Sequence, residues 1–184
     1  TPHATKPTLL IGCAAGFSGD RIDAAGPVVQ ELIRQDKPAV LIFETLAERT
    51  LALAQLARRS NPDAGFEPLM LEFLQPVLAD CLQHGIRIVS NFGAANPQAA
   101  ARAIAQLANT LGTRPPRIAV VQGDDLSGDE HRPLLAQALG AQMPMQPLVS
   151  ANAYIGARPI ADALQAGADI VVCGRVSDPS LVVG

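Results

Sequence analysis

A chain of 184 residues fits a single domain covering residues 1–184, and folding at this length buries about 70% of the surface that the unfolded chain exposes. Its 14 basic and 17 acidic side chains leave a net charge of −3 and are scattered along the sequence, which argues against a nucleic-acid or anionic membrane partner. The 3 cysteines are widely spaced and form no CxxC pair, which excludes a disulfide framework and is typical of a cytoplasmic protein.

Short apolar segments alternate along the chain with longer segments of helical period. The predicted strands are residues 8–13, 39–43, 86–89, 118–121 and 169–173. The predicted helices are residues 27–34, 46–59, 68–84, 97–111, 131–139 and 159–166. Since each strand is apolar at both odd and even positions, we expect helices on both faces of the sheet. The alternation predicts an α/β fold with a mostly parallel sheet.

Signals at particular positions refine this prediction. Pro76 lies within the predicted helix 68–84, which should therefore be kinked or divided into two pieces. The residues before Gly184 resemble the start of a helix, so we expect the chain to be truncated within its domain. No segment is apolar for long enough to span a bilayer, and residues 1–7 lack the apolar run of a secretion signal.

Small and polar residues follow the predicted strands, and the carboxyl ends of parallel strands form the edge where open α/β sheets bind ligands. We therefore expect these loops to converge at one rim. The candidate substrate-binding residues in them are Gly16, Ser18, Gly19, Arg21, Asn91, Gly93, Asn96, Asn152, Tyr154, Arg175 and Asp178.

The same rim carries features that favour an anion. Asn96 and Asp178 each precede a proline and are predicted to cap helices, whose first N–H groups attract negative charge. Arg21 and Arg175 would add positive charge nearby. The pattern predicts a small anionic ligand such as a carboxylate, a phosphate or an acyl-CoA, and the simpler alternative is that Asn96 and Asp178 act only as caps.

Two carboxylates are candidates for catalysis at this rim. Asp20 and Glu44 follow the first and second strands, and a carboxylate in a closed apolar crevice has a raised pKa that suits a general base. The alternative is that Asp20 and Glu44 form structural ion pairs with Arg21, Arg49 or Arg175.

Glycines after the first strand, together with Glu44, resemble a dinucleotide fingerprint. The spacing of Gly12, Gly16 and Gly19 differs from G-x-G-x-x-G, and Asp20 would place a carboxylate where pyrophosphate binds. NAD(P) is therefore disfavoured as a cofactor, and a CoA ester is expected only as a substrate.

Two further features could be a metal site and a nucleophile. The acidic run Asp124-Asp125 with Asp129-Glu130 could hold a divalent cation but is more typical of a turn and the start of a solvated helix, so no metal site is predicted. Cys13 could be a nucleophile, although cysteines in aliphatic strands usually belong to the core.

Five loop motifs together resemble the acyclic terpene utilisation A (AtuA-like) family, formerly a domain of unknown function. They are GCAAGFSGDR at 12–21, FETLAERT at 43–50, SNFGAANP at 90–97, ANAYIGA at 151–157 and GRVSDPSL at 174–181. The resemblance implies the N-terminal part of a longer family domain. It also implies a role in bacterial breakdown of acyclic monoterpenoids such as citronellol and geraniol through branched acyl-CoA esters, and it assigns no catalytic residue.

Three hypotheses of different classes follow. The first is a hydratase-like or lyase-like enzyme acting on a branched acyl-CoA or carboxylate, with Asp20 or Glu44 as the base. In it, the groups that position the anion are Asn91, Asn96, Arg175 and Asp178. The second is a non-catalytic binding or scaffold subunit of an acyl-CoA carboxylase system, and the third is an NAD(P)-binding oxidoreductase. A homo-oligomer is compatible with each of them.

Overall fold

Five parallel strands form one sheet in the order β1-β2-β3-β5-β4 in the computed structural model, which describes residues 8–184. The strands are β1 (Leu10–Ala15), β2 (Ala39–Phe43), β3 (Arg87–Ser90), β4 (Ile118–Val121) and β5 (Ile170–Cys173). Every neighbouring pair is parallel, which confirms the predicted α/β fold. The expectation about a secretion signal in residues 1–7 lies outside the described residues.

Helices connect the strands at nearly all of the predicted positions. They are α1 (Ala25–Gln35), α2 (Glu48–Ser60), α3 (Met70–Leu74), α4 (Leu78–His84), α5 (Pro97–Thr110), α6 (Arg132–Leu139), α7 (Arg158–Gln165) and α8 (Ser180–Val183). Pro76 separates α3 from α4, because proline has no N–H to donate and clashes with the preceding turn. Within residues 8–184, no helix has both the length and the apolar character that a bilayer span requires.

The strand order determines which face each helix covers. From β1 to β4 the chain moves across the sheet in one direction, and then it returns to insert β5 between β3 and β4. Right-handed crossovers therefore place α1, α4 and α5 on one face and α7 on the other.

The first face holds the larger core. Phe43, Phe73 and Phe92 pack there with ring centroids 4.9 to 5.9 Å apart. The second face is covered over β3, β4 and β5, where Ile160 of α7 is fully buried among strand residues.

Strand β1 departs from the expected cover on both faces. Ile11 is 46% exposed and Cys13 is also exposed, because β1 is an edge strand and the α7 layer does not extend over it. The prediction that Cys13 belongs to the core is therefore wrong, whereas the predicted two-sided cover holds for the strands nearer β4.

One of the two predicted helix caps is confirmed. Asn96 Oδ1 accepts a hydrogen bond from the Ala99 N–H at the start of α5. The side chain of Asp178 does not cap α8, because its carboxylate is bonded to Arg175 instead.

Candidate functional site

The loops that leave the strands meet at the carboxyl edge of the sheet. Glu44 N donates to the Ala15 carbonyl at 3.0 Å, which joins the loops after β1 and β2. On the other side, Gly174 N donates to the Val121 carbonyl at 3.0 Å and joins the loops after β5 and β4. The polar residues at this rim form two separate clusters.

The first cluster follows β2 and β3 and is centred on Asn91, which is fully buried. Asn91 Nδ2 donates to Glu44 Oε1 at 2.8 Å, and Asn91 Oδ1 accepts the Thr45 N–H at 2.7 Å. The Leu46 N–H also donates to Glu44 Oε1, at 2.9 Å. Glu44 Oε2 accepts no hydrogen bond from the described residues, so Asn91 orients Glu44 and leaves one carboxylate oxygen available.

A pocket of about 270 Å³ lies beside this cluster, between α2, the segment that follows it and the loops after β2 and β3. We call it the apolar pocket. Its apolar wall consists of Leu46, Leu53, Ala54, Ala57, Phe66, Pro68 and Ala94. Its polar lining consists of Ser18, Thr45, Thr50 and Glu67. An apolar cleft with a few polar groups is the usual form of a small-molecule site.

Glu67 is the charged group in the wall of the apolar pocket, and it is 4% exposed. The Glu67 N–H donates to the Phe92 carbonyl at 2.8 Å, which fixes the segment before α3 against the end of β3. Glu67 Oε1 accepts the Leu69 N–H at 3.1 Å. The backbone thus holds a carboxylate at the surface of an otherwise apolar space.

The second cluster follows β4 and β5 and is centred on Arg175, which is 1% exposed. Its Nη1 donates to the Leu46 carbonyl at 2.7 Å and its Nε to the Val176 carbonyl at 2.8 Å. Its Nη2 donates to the carboxylate of Asp178. The guanidinium is therefore occupied by protein acceptors and connects the loop after β5 to the loop after β2.

Asp124 and Tyr154 complete the second cluster. The buried Asp124 carboxylate accepts Arg175 N at 2.9 Å and Asn152 Nδ2 at 2.8 Å. The Tyr154 ring lies 4.6 Å from the Arg175 guanidinium carbon, and its hydroxyl donates to Glu48. This hydrogen bond raises the pKa of Tyr154 and lowers that of Glu48. Each of these groups has a partner inside the protein.

The Asp124-Asp125 pair is not a solvated turn, because both carboxylates accept hydrogen bonds from protein donors. Asp125 accepts hydrogen bonds from Gln55 Nε2 at 2.8 Å and from Ser127. Burial raises the pKa of Asp125, but these hydrogen bonds and the nearby Arg58 lower it overall. In the part of the chain from residue 8 onward, no group of three metal-ligating side chains comes together.

The loop after β1 places Asp20 differently from the expectation. The N–H groups of Gly16 and Arg21 donate to its carboxylate at 2.9 and 2.7 Å and lower its pKa, so the expected raised pKa is wrong. Arg21 is exposed and pairs with Asp23 at 2.6 Å. Gly16 N is thus occupied by a carboxylate, which gives no support to a pyrophosphate site.

Two sequence candidates at the start of α5 have a packing role. A Cβ on Gly93 would lie 2.5 Å from Pro97 Cβ and 2.6 Å from the Cys173 carbonyl oxygen, so only glycine fits there. Asn96 Nδ2 donates to the Pro62 and Ala64 carbonyls. These contacts hold the segment before Glu67 in place, and so they shape the apolar pocket indirectly.

The structure therefore sorts the candidate residues into distinct positions. It brings Glu44 and Asn91 together beside the apolar pocket, and Ser18 lines the same pocket. The residues gathered around Arg175 in the second cluster are Asn152, Tyr154 and Asp178. Gly16, Gly19, Asp20 and Arg21 lie in the loop after β1.

Sequence reasoning missed Thr45 and Glu67, and it considered Asp124 only as a possible cation ligand. Thr45 follows the end of β2, whereas Glu67 comes into the site because the segment between α2 and α3 folds back over the end of β3. The only local signal was an acidic residue before a proline, Glu67-Pro68, at the start of a helical pattern.

Comparison with known proteins agrees with the loop motifs. A family model described as Acyclic terpene utilisation family protein AtuA matches residues 9–184. This match covers nearly the whole chain and confirms the resemblance drawn from those motifs. Neither the curated proteins nor the solved structures give a significant match.

Proposed function

The chain belongs to the acyclic terpene utilisation family and takes part in acyclic terpene utilisation, and we propose that it is an enzyme acting on a branched acyl-CoA or on the free acid. The proposed substrates are the branched chains that arise in the breakdown of citronellol or geraniol. The proposed reaction adds water to such a chain or removes it.

The observation that carries this proposal is the apolar pocket, whose lining residues Thr45 and Leu46 are hydrogen-bonded through their backbone N–H groups to Asn91 and Glu44. At about 30 Å³ for each water-sized unit, its volume of about 270 Å³ holds roughly nine heavy atoms. That capacity suits the carbon chain of an acyclic monoterpenoid. A CoA group is far larger, so it would extend from the open rim while the chain occupies the pocket.

The Glu44 carboxylate supplies the acid–base chemistry in this proposal. Glu44 Oε2 takes a proton from water, the hydroxyl adds to the β-carbon of an unsaturated acyl ester, and Glu44 returns that proton to the α-carbon. This addition consumes one water molecule and needs no oxidant or reductant. Asn91 acts as a positioning residue, because it holds Glu44 Oε1 and the Thr45 backbone at the same time.

Two substitutions test the proposal through binding and turnover of a branched terpenoid enoyl-CoA. Ala57→Phe fills the apolar pocket from an exposed position of α2, so we expect at least a tenfold weaker binding of this substrate. Ala105→Phe, at an exposed position of α5, is the matched control and should leave binding unchanged. Glu44→Gln should lower kcat by about 10²–10⁴-fold with little change in KM, since a general base contributes that much.

The matched control for Glu44→Gln is Glu72→Gln, an exposed glutamate of α3. Equal turnover by the unsubstituted protein and by Glu44→Gln would show that Glu44 is not the general base. Unchanged binding of the enoyl-CoA by Ala57→Phe would show that the substrate does not occupy the apolar pocket.

A further inference from the structure

The structural role of Glu67 uses only one of its two carboxylate oxygens. Its Oε1 caps the turn before α3 by accepting the Leu69 N–H at 3.1 Å, but its Oε2 accepts no hydrogen bond from any described residue. No arginine, lysine or histidine among residues 8–184 lies within ion-pair distance of it. A carboxylate that is 4% exposed is normally paired, so this one is unusual.

The free oxygen of Glu67 is not sealed from solvent. Among the described residues, the side-chain atoms that are both sealed from solvent and without a partner are Ser90 Oγ and Asn152 Oδ1. Glu67 Oε2 is not one of them, and Glu67 lines the apolar pocket. The lining of the pocket therefore includes a carboxylate with one oxygen free to accept a hydrogen bond.

The surroundings of this acceptor define the group that it suits. Thr50 Oγ1 already donates to the Ala47 carbonyl at 3.0 Å, and Thr45 Oγ1 points to Asn91 Oδ1 at 3.4 Å. A carboxylate or phosphate placed beside Glu67 would be repelled and would find no positive charge in the pocket lining. An ammonium would also be attracted to this carboxylate, but the branched chains of the proposed function carry a hydroxyl and not an ammonium.

We propose that Glu67 is a specificity-determining residue that binds the hydroxyl of a branched acyclic alcohol or hydroxyacyl chain in the apolar pocket. This inference rests on the proposed use of that pocket for the branched chain. The hydroxyl donates to Glu67 Oε2, and the chain contacts Leu53 and Phe66. Any anionic end of the same ligand lies outside the pocket, at the rim.

Calorimetric binding to the protein tests this, with citronellol and its hydrocarbon as probes. We expect the alcohol to bind at least tenfold more tightly than the hydrocarbon. Glu67→Gln keeps an amide oxygen for the Leu69 N–H but removes the free carboxylate oxygen, so the preference for alcohol over hydrocarbon should fall at least tenfold. Glu72→Gln, the neighbouring exposed glutamate, should keep that preference.

The outcomes separate this inference from the proposed function. If Ala57→Phe abolishes binding of every probe while Glu67→Gln keeps the alcohol preference, the pocket stands and the role of Glu67 is refuted. If Ala57→Phe binds every probe as tightly as the unsubstituted protein does, the pocket does not hold the chain and the proposed function is refuted. Hydrocarbon binding as tight as that of the alcohol in the unsubstituted protein refutes the inference even if Glu67→Gln does not fold.

Discussion

The two ends of the sheet's carboxyl edge use polar residues in opposite ways. At the β4–β5 end, Arg175, Asp124 and Asn152 bond to one another and to backbone carbonyls. At the β2–β3 end, Glu44 and Glu67 each keep one carboxylate oxygen without a protein partner, beside an apolar pocket. The charged residues at the β4–β5 end therefore stabilise the loops of the rim. The carboxylates at the β2–β3 end have oxygens available for a ligand.

The largest expected effect comes from removing the buried guanidinium. Arg175→Met should lower the free energy of unfolding by about 2–6 kcal/mol, because the buried carbonyls of Leu46 and Val176 lose their donors at roughly 1–3 kcal/mol each. Arg158→Met is the control, since Arg158 is exposed and its pair with Asp162 is worth at most about 1 kcal/mol. Urea denaturation measures both.

A small change in the free energy of unfolding of Arg175→Met would contradict this contrast between the two ends of the rim. If this variant kept its stability but lost affinity for acyl-CoA, Arg175 would be a ligand-binding charge after all. The β4–β5 end would then be the functional one.

A smaller effect is expected at the opposite edge of the sheet. The side-chain hydrogen bonds from Arg114 lower the pKa of Asp169 to about 2, from an ordinary value of 3.8. Because the folded-state pKa is depressed, the stabilisation is present above pH 3.8 and is lost as the pH falls toward about 2. Asp169→Asn should cost roughly 1 kcal/mol at neutral pH and flatten this part of the acid unfolding curve.

Asp63→Asn is the matched control at neutral pH. Asp63 is highly exposed and pairs with Arg102 at 3.2 Å, so its replacement should cost less stability than that of Asp169. Identical curves for Asp169→Asn and the unsubstituted protein would show that Asp169 contributes nothing through Arg114.

Much of the fold could be predicted from the sequence because local patterns determine it. The bounds of β2 and β4 agree with the predicted 39–43 and 118–121, and Pro76 divides the helix as expected. Cys13 was misjudged because an apolar strand at a sheet edge has the same pattern as one in the centre. Strand position is a long-range property that periodicity does not encode.

The site was predictable only in part. The pairing of Glu44 with Asn91 follows from the parallel sheet, since both residues end neighbouring strands. The role of Glu67 depends on how the segment after α2 folds back onto Phe92, and no spacing rule gives that. The pKa of Asp20 depends on loop N–H groups whose directions only coordinates reveal.

The central claim is that the apolar pocket holds the branched chain of the substrate. Backbone NMR shifts of the isotope-labelled protein, titrated with a branched terpenoid acid or alcohol, test it most directly. We predict saturable shifts at Thr45, Leu53 and Ala57, with Gln122 and Asp124 unchanged. Shifts confined to the loop around Gln122 and Asp124, with Leu53 and Ala57 unmoved, would contradict the account.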